Sequence, residues 1–189
     1  MFGKRSRRRS TARLATPRRE SANWLAWRGG WPSGRKAVRP PAGTISMNEN
    51  KTFVDTNIIV YAYDTTAGEK HLKAKTIMRD LWRSGGGLVS TQILQELYVT
   101  LTRKIPRPLK SAQAREIIED MLTWDIVVND GESILQAISL EAREKVSFWD
   151  ALVIIGAMRG GAETLLSEDL PAGCTLAGVR VLNPFLSSE

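Results

Sequence analysis

The chain has 189 residues, 42% of them hydrophobic, with 27 Lys+Arg against 20 Asp+Glu and a net charge of +7; that is enough apolar content for one buried core and too little length for two ordinary domains. A single cysteine, Cys174, excludes an internal disulfide and a multi-cysteine zinc site. A single histidine, His71, excludes a histidine metal cluster and any pair of histidines for acid–base work within one chain, so a metal site would have to be built from oxygen.

The charge is distributed unevenly. Residues 1–46 hold 12 Lys+Arg and one acid, Glu20, which leaves 15 basic against 19 acidic residues in 47–189. The first 46 residues are rich in Arg, Ser, Pro and Gly, show no defensible periodicity, and are expected to be a disordered basic extension. They lack the apolar core of a secretory signal. Upstream sequence ahead of a true start at Met47 is the favoured reading, with a basic nucleic-acid-binding arm or a targeting segment as alternatives. No apolar run reaches about 18 residues, so no membrane helix is expected, and the lack of a disulfide framework fits a cytoplasmic location.

Residues 47–189 read as one domain. Thr52-Phe53-Val54 is a short apolar strand feeding a helix that begins near Asn57 and runs through Tyr63. Residues 69–83 repeat apolar positions at Leu72, Ala74, Ile77, Met78 and Leu81, and Gly85-Gly86-Gly87 stops that helix. Leu88-Val89-Ser90 is a second strand. Thr91 is expected to cap a helix reaching about Lys104, ended by Pro106 and Pro108, and 111–122 is helical again. Ile126-Val127-Val128 is a third strand, followed by helices over about 132–144 and 148–158. Thr164-Leu165-Leu166 and Val179-Arg180-Val181-Leu182 complete an α/β alternation of about five strands, the pattern of a mainly parallel sheet flanked by helices.

Open parallel sheets carry their functional groups at the carboxyl ends of the strands. Asp55 directly follows the first strand, and Asp169 lies just past the fourth. Asp150 falls in the first turn of the 148–158 helix, and Glu96 sits among the apolar Leu94, Leu97 and Val99. Four carboxylates drawn together raise one another's pKa and call for cations, for which Mg²⁺ or Mn²⁺ is the expected choice because hard ions take oxygen ligands and keep water. Such a site suits phosphodiester hydrolysis. Each acid also has a plainer reading: Asp55 a helix cap, Asp150 a partner of the helix dipole, Glu96 an exposed position by chance, Asp169 part of a solvated loop.

The wording Phe53-Val54-Asp55-Thr56-Asn57-Ile58-Ile59-Val60-Tyr61, Gln95-Glu96-Leu97, Ser147-Phe148-Trp149-Asp150-Ala151-Leu152 and Leu166-Ser167-Glu168-Asp169-Leu170 resembles PIN-domain proteins and, more narrowly, the VapC toxins of toxin–antitoxin pairs. The resemblance spans about 51–185. It implies a sheet of order 3-2-1-4-5 and a Mg²⁺- or Mn²⁺-dependent endoribonuclease whose catalytic and metal-binding acids are Asp55, Glu96, Asp150 and Asp169. It also implies Thr56, Asn57 and Ser167 as their polar supports, RNA as substrate, a cognate antitoxin and a homodimer.

Competing readings differ in their demands. A structure-specific or DNA nuclease uses the same metal logic, and a non-catalytic nucleic-acid or protein binding module would need the acids only as an ion site or a surface. Histidine-based RNA cleavage is set aside, since His71 stands alone among lysines on what reads as a solvated helix face. A polyanionic substrate requires basic groups near the acids, drawn from Lys70, Lys73, Arg79, Arg103, Lys104 and Arg107. Trp82, Trp124 and Trp149 are read as core residues in preference to base-stacking ones.

Overall fold

Asp55, the first of the predicted site acids, accepts the backbone N–H of Thr56 at 2.6 Å and thereby caps a helix at the end of a central strand of the sheet. In the computed structural model, residues 51–186 are described. The expectations for 1–46, the extension and the start at Met47, lie outside the described residues. The elements run β1 (Thr52–Val54), α1 (Thr56–Tyr63), α2 (Glu69–Ser84), β2 (Gly87–Ser90), α3 (Thr91–Arg103), α4 (Ser111–Met121), β3 (Asp125–Val127), α5 (Gly131–Glu144), α6 (Phe148–Arg159), β4 (Thr164–Leu166), β5 (Thr175–Leu176) and β6 (Val179–Leu182).

The sheet order is β3-β2-β1-β4-β6-β5. β1 lies parallel between β2 and β4, pairing Phe53 with Leu88 and with Leu165, and β4 pairs parallel with β6, Leu165 facing Val181. The expected five parallel strands in the order 3-2-1-4-5 are therefore present, the expected fifth being β6. The correction is a sixth strand at the edge: β5 pairs antiparallel with β6 through the two-residue turn Ala177-Gly178. Both turn residues have positive φ, 49° and 83°, the geometry that suits the twist of a tight hairpin. Two residues are too short a run for periodicity to register.

Phe53, Val54, Ile58, Ile59, Leu97, Ile154 and Leu165 are fully buried around the centre of the sheet. α6 is buried at every position from 151 to 157, because it packs against strands on one side and α5 on the other and so has no solvated face after its first turn. Among the described residues, no helix is long and apolar enough to cross a membrane. One cap differs from expectation. Ser90, not Thr91, caps α3 by accepting the Ile93 N–H, while the Thr91 hydroxyl accepts the N–H of Asn129 and ties α3 to the end of β3.

Candidate metal-binding active site

Strands β1 and β4 end side by side, so the residues that follow them meet. The backbone N–H of Asp55 donates to Leu166 O at 3.0 Å. One residue further along, Ser167 is fully buried and its Oγ donates to Asp55 Oδ2 at 2.6 Å. Asn57 Nδ2 lies between two acids, donating to Asp55 Oδ2 at 3.1 Å and to Asp169 Oδ2 at 2.9 Å. Asp169 is held in turn through its backbone N–H, which donates to Ser167 Oγ at 3.2 Å.

Glu96 reaches the same place from α3. Its carboxylate accepts the Thr56 hydroxyl at 2.9 Å and Gln92 Nε2 at 2.8 Å, one oxygen each. Gln92 is buried and also donates to Trp149 O at 3.3 Å, which fastens α3 to the start of α6. Asp150 stands in that first turn, its carboxylate accepting the hydroxyl of the cap residue Ser147 at 2.7 Å. Asp55, Glu96, Asp150 and Asp169 all line one cavity of about 300 Å³. Thr56, Asn57 and Ser167 each donate to one or more of these carboxylates. Gln92 and Ser147 were not singled out from the sequence, although a signal exists: Gln92 is one helical turn before Glu96, and Ser147 is three residues before Asp150.

Electrostatics set Asp55 apart. Burial pushes its pKa up to about 6; the hydrogen bonds from Ser167 and Thr56 oppose the rise, and the negative charges of Asp169 and Glu96 add to it. Such a carboxylate is ionised at neutral pH at a cost that a nearby cation would relieve. Among the described residues, no three acidic, histidine or cysteine side chains form a ready-made ion cage. The donors are nonetheless of the right kind: the carboxylates of Asp55, Glu96, Asp150 and Asp169 border the same open cavity space, and an ion such as Mg²⁺ needs only one or two of them while water completes its shell.

The loop that carries Asp169 is pinned from behind. Glu168 pairs with Lys70, whose Nζ lies 4.9 Å from the Tyr61 ring centroid and 5.5 Å from that of Phe185. Burial pushes the Glu168 pKa up, but hydrogen bonds from Lys70 and Tyr61 outweigh it and hold the carboxyl below its usual range. Lys70, one of the bases expected to line the approach, is thus engaged with Glu168. His71 departs from its expected solvated face: it is half-buried, with Nδ1 3.0 Å from Tyr61 O. Trp82 and Trp124 pack together at 4.9 Å between ring centroids, both half-buried, as core residues would. Trp149 overturns its core reading. It is 63% exposed and lines the cavity, because it sits in the first turn of α6, ahead of the stretch 151–157 that is packed on every side.

The chain matches the family described as PIN domain over residues 52–170. A comparison with curated proteins gave no significant match. Among solved structures it is similar to the VapC20 toxin of Mycobacterium tuberculosis, described as cleaving the sarcin–ricin loop. That match has a TM-score of 0.50 and 21% identity, and covers 63% of this chain and 92% of the other. A toxin–antitoxin complex from Klebsiella pneumoniae gives 0.53 at 18% identity, covering 71% and 98%. DNA-bound VapBC from Salmonella typhimurium gives 0.50 at 15%, covering 70% and 97%. At these identities the likeness is one of fold.

Proposed function

Because the chain belongs to the PIN-domain family, we propose that it is a metal-dependent endoribonuclease, the toxin of a toxin–antitoxin pair, hydrolysing RNA phosphodiesters at a site formed by Asp55, Glu96, Asp150 and Asp169. The observation that carries this reading is that four acids from four separate segments line a single cavity, one of them with its pKa raised to about 6. Clustering of ionisable groups with a perturbed member is the usual mark of a reactive site. RNA is preferred to DNA on the motif wording and on the activity described for the similar mycobacterial toxin.

Asp55, Glu96, Asp150 and Asp169, which line the same cavity, are the residues we assign to holding Mg²⁺ or Mn²⁺. When bound, the ion supplies Lewis acidity at the phosphate and lowers the pKa of water. The chain's own residues prepare that chemistry. Ser167 and Asn57 fix the Asp55 carboxylate by hydrogen bonds to one oxygen, and Asn57 keeps Asp169 in register with it. Thr56 and Gln92 hold the two oxygens of Glu96 apart in fixed directions, so its negative edge faces the cavity without rotamer search. In the reaction a water oxygen bonds to phosphorus, the bond to the leaving oxygen breaks, and the released proton is taken up by a carboxylate or solvent.

A cognate antitoxin completes the proposal, supported by the toxin–antitoxin complexes among the similar folds; a homodimer and a cytoplasmic location are proposed with it on the motif resemblance and the absence of a disulfide framework. The test is one gel. The full chain and its Asp55→Asn and Asp150→Asn variants are incubated with total RNA and with single-stranded DNA in Mg²⁺, Mn²⁺ or chelator. Cleavage of RNA that disappears with chelator and with either substitution is expected; cleavage of DNA alone, or RNA cleavage indifferent to chelator, would overturn the reading.

A further inference from the structure

Trp149 is a large aromatic that the fold leaves outside its core while it lines the acid-lined cavity. It is 63% exposed and its neighbour in sequence is Asp150. Its ring meets the Phe148 ring at 5.3 Å and 69°, an edge contact that supports one side of the indole. Its backbone carbonyl accepts from Gln92, the residue that also holds Glu96, so its position is tied directly to the acids. The first turn of α6 therefore delivers a carboxylate and a flat apolar surface to the same place.

The adjoining wall, on α3, supports a path for a polyanion. Gln92, Glu96 and Thr100 recur at one-turn spacing on α3 and all line the cavity. Arg103, exposed in the last turn, continues that helical face. A strand leaving the acids along α3 would meet a guanidinium suited to phosphate.

Resting on the nuclease reading above, we infer that Trp149 is a nucleobase subsite: an unpaired base flanking the scissile phosphate stacks on its indole while the backbone runs along α3 toward Arg103. Duplex RNA hides its base faces, so the subsite selects single-stranded substrate, and stacking alone gives little discrimination among the four bases.

The experiment uses the full chain with Trp149→Ala, Trp149→Leu and Trp149→Phe and a single-stranded oligoribonucleotide. Removing one stacked base should raise KM roughly ten- to hundredfold in the Ala and Leu variants. Phe should restore most of it, because it returns a π face and Leu returns only apolar area. Equal rescue by Leu, or a KM unmoved in the Ala variant, would overturn the subsite. So would loss of self-association in the Ala variant on sedimentation with RNA affinity intact, which would assign the indole to a second copy of the chain. A readout independent of turnover separates the two proposals: the same oligoribonucleotide carrying iodouridine is photocrosslinked to the full chain and the adduct located by mass spectrometry. An adduct at Trp149 without cleavage supports the subsite while the nuclease reading fails; adducts confined to other residues overturn the subsite whatever the activity.

Discussion

Ser167 Oγ donates to Asp55 Oδ2 at 2.6 Å across 112 residues of sequence, and it is the shortest tie between the two central strands at the site. The same oxygen accepts the Asp169 N–H, so one buried hydroxyl sets the relation between two of the four acids. Ser167→Ala should lower metal affinity and activity about 10- to 100-fold, the usual effect of removing a hydrogen bond that orients a ligand. It also removes a contact that lowers the Asp55 pKa, so the acid limb of the rate profile should move to higher pH. A profile that keeps its midpoint in the variant would refute the coupling.

Asp55 also predicts how stability depends on pH. Its folded pKa of about 6 stands above the ordinary 3.8, so between those values the folded state binds more protons than the unfolded one, and stability falls as pH rises. In chelator, the parent should lose roughly 1–2 kcal/mol relative to Asp55→Asn between pH 4.5 and pH 7.5, the part of the shift that falls inside that window. Denaturant titrations at the two pH values measure this. A parent-minus-variant difference that is flat across the window would sink the assignment.

Gln92 is predicted to act only through its neighbours. Gln92→Leu preserves buried volume but removes the donor to Glu96 and to the Trp149 carbonyl. Activity should fall about 10-fold or more through loss of an orienting contact. Isothermal titration with Mn²⁺ should show weaker binding. Unchanged affinity and unchanged cleavage would leave Gln92 a packing residue.

A structural prediction concerns the end of α6. A Cβ at Gly160 would overlap Leu88 Cδ2 and stand 2.8 Å from Val127 Cγ2, both part of the sheet beneath it. Gly160→Ala should cost about 1–3 kcal/mol, the range for overpacking a filled interior. Thermal unfolding measures it, and a variant as stable as the parent would show that the β2–β3 surface yields more readily than its packing implies.

The elements were largely legible from local signals. Apolar periodicity located the helices within a residue or two of their observed ends, and glycines and prolines marked where they stop, because both act within one turn of chain. β5 was invisible for the same reason: two residues carry no period, and their strand character comes from pairing with β6. Capping by Ser90 in place of Thr91 was decided by where the Thr91 hydroxyl finds Asn129, a residue 38 positions away.

What the sequence determined by itself was the α/β alternation, the placement of Asp55, Asp150 and Asp169 at strand and helix ends and that of Glu96 within α3, since each is encoded by residues adjacent in the chain. That Asp55, Glu96, Asp150 and Asp169 line one cavity, that Asn57 links two of them and Gln92 steadies a third, and that Trp149 is left exposed while Trp82 and Trp124 are covered, was decided only by the tertiary structure. The physical reason is that hydrogen bonding, burial and the raised pKa of Asp55 depend on distances between groups separated by tens of residues, which packing sets and local sequence does not.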